Sequence, residues 1–256
     1  EVLVWLNAVD PEANYLSALD VRAPGTGNWL LRGREYVDWK EGREGVLWLY
    51  GMPGCGKSVL SATVIKDIEQ LCEVSGDHAF AYFYFTFSDP KKQNLLNMLL
   101  SLIGQLAKGL SDCDFPNEVK NLYRNSEAIG KSPGIEDLKS AFSQIIKSYK
   151  KTFLILDALD EFPEPSRRSL LSWLSKLATD NKVESLSILV TSRPKADIVR
   201  SLKPLKPSSI SLESKTIDPD IRSYIHNSLD GKDKFQGFTQ TTKSEIVEAL
   251  VVCSLG

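Results

Sequence analysis

Four runs of nearly continuous apolar residues punctuate the chain: Val46-Leu47-Trp48-Leu49-Tyr50, Ala79 to Phe85, Thr152-Phe153-Leu154-Ile155-Leu156 and Leu186-Ser187-Ile188-Leu189-Val190, with a short fifth at 208–212. Runs of this length that are apolar on both faces suit strands buried between two helical layers, whereas a strand with one wet face would alternate. Between them the apolar positions recur at helical spacing over 58–71, 93–108, 117–128, 135–149, 165–178, 217–229 and 242–252. Ser88-Asp89-Pro90 ends the second strand, and Pro116 and the stretch Gly130 to Gly134 separate helices. Upstream, Val2, Leu3, Leu6 and Val9, then Tyr15, Leu16 and Leu19, mark a helical segment broken at Asp10-Pro11 and closed by Ala23-Pro24-Gly25-Thr26-Gly27. Trp29 to Trp39 is a further short periodic piece.

Strands alternating with helices predict an α/β fold with a parallel sheet joined by right-handed crossovers. The expected architecture is three-layered, helix on sheet on helix, with five parallel strands. Residues 1–40 form a helical segment before the core, 41–215 form the core, and 216–256 begin a helical or winged-helix segment. No internal repeat or low-complexity tract interrupts this plan, and the stretch 203–209 is too short for a linker.

Composition adds exclusions. The 256 residues are 42 % apolar and 25 % charged, with a net charge of −2, which is ordinary for a globular chain and leaves no overall positive field for nucleic acid or an anionic membrane. Cys55, Cys72, Cys113 and Cys253 are far apart, and neither His78 nor His226 stands at ligand spacing from any of them, so neither a zinc site nor a disulfide framework is expected. No apolar run approaches bilayer-spanning length and no signal peptide opens the chain, which points to a cytoplasmic setting. The chain opens at Glu1 and stops at Gly256 just after an apolar helical pattern, so an excerpt of a longer protein is expected.

The chemistry concentrates at Gly51-Met52-Pro53-Gly54-Cys55-Gly56-Lys57-Ser58, which carries the spacing G-x-x-x-x-G-K-S between an apolar strand and a helix. That context makes it a Walker A phosphate loop. Glycines let the backbone curl until successive N–H groups converge on phosphates at the positive end of the helix. Gly51, Pro53, Gly54, Cys55, Gly56, Lys57, Ser58 and Val59 are the expected nucleotide-binding residues, Lys57 reaching the β- and γ-phosphates and the Ser58 hydroxyl ligating Mg²⁺.

Such a loop leaves Mg²⁺ half-coordinated, so an acidic residue is expected at the end of another strand. Asp157, ending the 152–156 run, fits as a metal holder acting through water. Asp160 or Glu161 would orient or deprotonate the attacking water. The strand at 79–85 intervenes between these two, as in P-loop proteins that insert a strand there, and in that group the next strand ends in a polar γ-phosphate sensor. Here it ends at Thr191-Ser192-Arg193, making Arg193 the candidate sensor. Tyr82 to Phe87 is read as a buried strand, since no basic residues interleave with its aromatics. His78 is read as structural, Cys55 as a loop residue supplying its N–H, and Arg167-Arg168 as an exposed helix face.

These motifs resemble the NACHT-type signal-transduction NTPases, in the nephrocystin-3-like form found in fungal ankyrin-repeat and WD-repeat proteins. The resemblance rests on Gly25 to Leu31, Leu47 to Ser58, Ala81 to Phe85, Leu154-Ile155-Leu156-Asp157-Ala158-Leu159-Asp160-Glu161 and Ile188-Leu189-Val190-Thr191-Ser192-Arg193-Pro194. It implies a switch: an effector, this NTPase, a winged-helix segment and ligand-sensing repeats in one full-length chain, with nucleotide-dependent self-association. The family's winged-helix nucleotide contact has no counterpart before Gly256, so the contacts that recognise the base are not legible.

The leading expectation is thus a Mg²⁺-dependent ATP or GTP switch with slow hydrolysis. Asn-Lys-x-Asp, which selects guanine in small GTPases, is absent, and that leans towards ATP. A phosphotransferase acting on a small acceptor would need a mobile basic lid, and no Arg-rich lid is present. A ring-forming remodelling ATPase would need an arginine finger supplied in trans.

Overall fold

Short runs of β-branched, aromatic and leucine side chains extend readily where both faces are covered, and the computed structural model places five of them in one parallel sheet. It describes residues 9–110, 116–130, 133–181, 184–212, 214–230, 235 and 237–254. The expected helical pattern over residues 1–8 lies outside the described residues.

The strands are β1 (Val46–Tyr50), β2 (His78–Tyr84), β3 (Lys151–Asp157), β4 (Leu186–Ser192) and β5 (Ser208–Ser211), in the spatial order β2-β3-β4-β1-β5. All neighbouring pairs are parallel, with Leu156 beside Val190 and Tyr50 beside Ser192. The strand that separates β1 from β3 in the sheet is therefore β4. The 79–85 run, which intervenes in sequence, is β2 and occupies the edge beyond β3. Every residue of β3 and β4 is buried, as the unbroken apolar runs demand.

The helices are α1 (Glu12–Asp20), α2 (Asn28–Arg32), α3 (Arg34–Lys40), α4 (Lys57–Ser75), α5 (Leu95–Ala107), α6 (Asn117–Ile129), α7 (Ile135–Ile145), α8 (Glu164–Asp180), α9 (Ala196–Leu202), α10 (Ser214–Asp230) and α11 (Gln240–Ser254). Leu154, Leu156, Ile188 and Val190 face α5, α7 and α8 through Met98, Leu102, Phe142 and Leu174. The alternate residues Phe153, Ile155 and Leu189, with Leu47 and Leu49, face α3 and α4 through Trp39, Ile65 and Ile68. The expected three layers follow from this alternation. A small separate cluster, Ile225, Leu229, Val247 and Val251, holds α10 against α11. No helix among the described residues is long and apolar enough to cross a membrane.

Local chemistry moves several boundaries. Asn94 accepts from the N–H groups of Leu96 (2.8 Å) and Asn97 (3.4 Å) and so starts α5 two residues after the expected start at 93. The periodic piece Trp29 to Trp39 is two helices, because Gly33 is extended (ψ 142°) between them. The pattern at 135–149 is helical only to Ile145, after which the chain tightens into a 3₁₀ turn over Ile146–Ser148. Helix α9 was not anticipated, since seven residues after a proline carry too little periodicity to read.

The exposed edge of β2 is managed by one side chain. Gln105 on α5 accepts from the Tyr82 N–H (3.0 Å) and donates to the Tyr82 carbonyl (2.9 Å), pairing the middle of a strand that would otherwise offer both groups to another chain. Replacing Gln105 by Leu is expected to cost about 1–3 kcal/mol in denaturant unfolding, from the two backbone groups left unpaired. It should also produce concentration-dependent association in sedimentation experiments.

Candidate functional site

The carboxyl ends of β1, β3 and β4 lie side by side, which in open parallel sheets is where the connecting loops form a binding crevice. The 51–58 loop leaves β1 there. The Gly51 N–H donates to the Ser192 carbonyl (3.3 Å), and the Leu212 N–H donates to the Tyr50 carbonyl (2.8 Å), so the loop is pinned between β4 and the end of β5. A Cβ on Gly51 would stand 2.7 Å from Cys55 Sγ and 3.1 Å from Leu212 Cβ, so only glycine fits. Gly54 (φ +81°) and Gly56 (φ +83°) take left-handed conformations that suit residues without a Cβ.

Helix α4 begins at Lys57 with Gly56 at its cap and no capping side chain, so its first-turn N–H groups form an uncapped positive terminus. Met52, Pro53 and Gly54 are exposed, while Cys55, Lys57 and Val59 are half-buried. The Lys57 ammonium donates to the carbonyls of Gly51 (2.9 Å) and Met52 (2.7 Å), folding its stem across the loop.

Asp157 is 2 % exposed at the end of β3. Its Oδ2 accepts from the Ser58 hydroxyl (2.7 Å), and its Oδ1 accepts from those of Ser61 (2.6 Å) and Thr191 (2.7 Å). Burial pushes this carboxyl up from its ordinary value, while the hydroxyls of Ser61, Ser58 and Thr191 and the Lys57 charge favour the ionised form. Thr191 also accepts from the Ala158 N–H (2.9 Å), where the chain turns left-handed at a non-glycine residue (φ +57°) directly after the carboxylate. Ser61 and Thr191 were not singled out from sequence. Ser61 lies three residues beyond Ser58 on the same helical face, which is a legible signal; Thr191 needed the β3–β4 pairing.

An oxygen-only set of one carboxylate and one accessible hydroxyl, opening towards a phosphate loop, fits Mg²⁺, which keeps several waters and uses one or two protein oxygens. No group of three or more His, Cys, Asp and Glu residues able to hold a metal occurs among the described residues.

The 158–161 turn separates its two acids. The Asp160 carboxylate is 4 % exposed and accepts from the Arg193 N–H (2.9 Å) and Nε (2.5 Å). It is thereby committed to Arg193, whose own side chain remains 41 % exposed. Glu161 is half-buried, and its Oε2 accepts from the Phe87 N–H (3.2 Å) in the loop after β2. Burial raises the Glu161 carboxyl above the usual glutamate range; the Phe87 bond opposes this, and the negative charges of Asp160 and Asp157 reinforce it. Phe87 itself is 71 % exposed, unlike the buried Phe83 and Phe85, because β2 has already ended at Tyr84.

Arg167 corrects the reading of an exposed Arg167-Arg168 face. Its side chain is 3 % exposed, with Nε on Asp197 Oδ2 (2.7 Å) and Nη1 on the carbonyls of Asp160 (3.0 Å) and Phe162 (2.6 Å), whereas Arg168 is exposed. Lys195 Nζ also donates to the Asp160 carbonyl (3.0 Å). The turn that carries Asp160 and Glu161 is thus tied to α8 and to the segment after β4.

Beside the loop at Gly54, Cys55 and Gly56 lies a cavity of about 490 Å³, walled by Val21 and Thr26 on one side and by Ile221 and Tyr224 of α10 on the other. A volume in this range accommodates a small-molecule ligand, and its predominantly apolar wall suits a planar ring. Neither lip was legible in sequence as a site, because the residues that meet across it are about two hundred positions apart. A second cavity, about 550 Å³ between α7 and α8, touches none of the residues above.

The family model for the N-terminal region of nephrocystin 3 matches residues 25–193. No curated protein matches the chain. Among solved structures, Cdc6p from Pyrobaculum aerophilum is 13 % identical with a TM-score of 0.46, over 84 % of this chain and 53 % of that one. The Aeropyrum pernix ORC1 protein in complex with DNA is 16 % identical with a TM-score of 0.46, over 90 % and 53 %. Domain III of the Thermotoga maritima replication initiation protein DnaA is 14 % identical with a TM-score of 0.45, over 90 % and 79 %. The chain spans about half the length of the first two.

Replacing Arg167 by Met takes the cation from Asp197 and a donor from the Phe162 carbonyl, while Lys195 still serves the Asp160 carbonyl, and is expected to destabilise the protein by about 1–3 kcal/mol in denaturant unfolding. Replacing exposed Arg168 in the same way should change stability by less than about 0.5 kcal/mol.

Proposed function

We propose that this chain, which belongs to the nephrocystin 3 N-terminal family, works as a molecular switch that holds a Mg²⁺ nucleoside triphosphate, ATP or GTP, and hydrolyses it slowly. Family membership and the 51–58 loop make it a nucleotide-binding P-loop NTPase module; how it uses the nucleotide is the proposal. The observation that carries it is the 2.7 Å contact between Ser58 Oγ and Asp157, which joins the loop hydroxyl to a buried carboxylate from another strand.

In this reading the N–H groups of Gly54 to Ser58 take the phosphates, with Gly51, Pro53 and Val59 shaping the loop around them. Lys57 exchanges its carbonyl partners for β- and γ-phosphate oxygens. Ser58 would hold Mg²⁺ and Asp157 would hold it through water, and the ion would neutralise charge on the transferred phosphoryl group. Glu161 accepts the proton of the attacking water, and its bond to the Phe87 N–H supports a slow rate, since the carboxylate must leave that donor to reach the water. Asp160 acts on catalysis through Arg193: its grip on the backbone N–H and Nε fixes the guanidinium, whose outer edge senses the γ-phosphate.

Residues 1–40, 41–215 and 216–256 are the preceding helical segment, the core and the start of a helical or winged-helix segment. The apolar cavity between residues 21–27 and α10 takes the base, so nucleotide joins all three. Effector and repeat domains in the same full-length chain, nucleotide-dependent self-association and a cytoplasmic location complete the proposal, which rests on the family for these points.

Lys57→Ala is expected to weaken Mg²⁺-nucleotide binding by at least about 100-fold in calorimetry, through loss of charge-assisted bonds to two phosphates; unchanged affinity would refute the site. Glu161→Gln should slow single-turnover hydrolysis by about 10²-fold or more while leaving affinity within a few-fold. Because burial raises the Glu161 carboxyl, it protonates on acidification before an ordinary glutamate would. The acid limb of the hydrolysis profile should therefore lie at higher pH than an ordinary glutamate would set, and the Gln variant should lack it.

A further inference from the structure

The cavity beside the phosphate loop has two lips that a single carboxylate joins. Asp220, on α10, accepts with Oδ2 from the Gly27 N–H (2.6 Å) and from the Trp29 indole Nε1 (2.9 Å), across 193 and 191 residues of sequence. Gly27 is left-handed (φ +78°), and a Cβ there would press at 3.2 Å on Leu60 and Thr63 of α4, so the N–H that meets Asp220 is held by packing against the helix of the phosphate loop. The same lip is braced from behind: Arg22 donates to the Thr26 carbonyl through Nε (3.0 Å) and Nη2 (2.7 Å), and the Thr26 hydroxyl donates to the Ala23 carbonyl (2.7 Å). On the other lip Ile221, next to Asp220, packs against both the sheet-side core and the small core between α10 and α11. One lip therefore belongs rigidly to the phosphate-loop helix, while the other belongs to a helical pair with a core of its own.

We infer that Asp220 is a positioning residue: its bonds to Gly27 and Trp29 latch α10 over the cavity and so set how long the base end of the nucleotide is retained. This inference rests on the proposed nucleotide site and adds what closes it. Two donors converging on one carboxylate oxygen form a charge-assisted pair, the stronger class of hydrogen bond, and the latch lies at the base end, clear of Lys57 and Ser58. Opening it would free α10 and α11, which keep their own core, at the cost of the Ile221 contact with the sheet-side core. Base binding and latch closure thus draw on one equilibrium, and a ligand that fills the cavity favours the closed state by its differential affinity.

The test compares the parent protein with Asp220→Ala, Asp220→Asn, Trp29→Phe and the double variant Asp220→Ala/Trp29→Phe. Stopped-flow dissociation is measured with ribose-labelled fluorescent ADP, and calorimetry with Mg²⁺-ATP, Mg²⁺-GTP and inorganic triphosphate. Removing the charge-assisted bonds in Asp220→Ala is expected to speed nucleotide dissociation about 10-fold or more while inorganic triphosphate binding stays within about twofold, because it does not reach the latch. Asp220→Asn keeps an acceptor for both donors and should fall between parent and Ala. The double variant should dissociate no faster than Asp220→Ala alone, since both changes break one contact. Dissociation from Asp220→Ala within twofold of the parent overturns the latch and leaves the nucleotide site standing. An equal loss of inorganic triphosphate binding in that variant also overturns it, by showing general damage to the loop. A parent that binds no nucleotide overturns both the site and the latch.

Discussion

Everything at the crevice depends on keeping one buried carboxylate satisfied. Asp157 is nearly inaccessible, and an ionised carboxylate in that position is costly unless its oxygens are hydrogen-bonded. Hydroxyls from Ser58, Ser61 and Thr191 meet that need, and they come from the phosphate-loop helix and from β4. The same contacts fix the start of α4 against the ends of β3 and β4, so the 51–58 loop and the buried carboxylate are placed by one set of bonds. Stability and site geometry cannot be separated here.

A second layer of charge orders the turn after β3. Asp160 is held by Arg193, its carbonyl by Arg167 and Lys195, and Arg167 in turn by Asp197 on α9. Buried ionic networks of this kind contribute less to net stability than to the choice of a single arrangement, because much of their attraction offsets desolvation. Glu161 lies outside that network, its carboxylate resting on the Phe87 N–H in the loop after the neighbouring strand β2. Two acids three and four residues beyond Asp157 thus acquire different partners from their surroundings alone.

The cavity beside the loop has walls of different origin. Gly27 lies close against Leu60 and Thr63 of α4, whereas α10 and α11 share a small core that includes Ile225, Leu229, Val247 and Val251. A ligand seated between a rigid lip and one with its own core couples its occupancy to the position of the second. That is the physical content a switch requires.

The strands were legible because burial on both faces forces unbroken apolar runs, and β1 appears with the boundaries its residues predict. The 51–58 loop pattern was legible for a local reason: its glycines, lysine and serine stand within eight consecutive residues. The place of Asp157 at a strand end was legible from the apolar run before it. Arg167 was misread because a charged residue on a helix surface is usually solvated, and only the arrival of two carbonyls and Asp197 from other elements explains its burial. The spatial place of β4 between β1 and β3 is set by crossovers that leave no mark on the strand itself. The different partners of Asp160 and Glu161, the hydroxyl shell of Asp157 and the meeting of Asp220 with Gly27 and Trp29 all depend on which distant segments are brought together. Local chemistry therefore determined the loop and strand ends from which the candidate site is built, and tertiary contacts over long sequence separations decided which residues meet there.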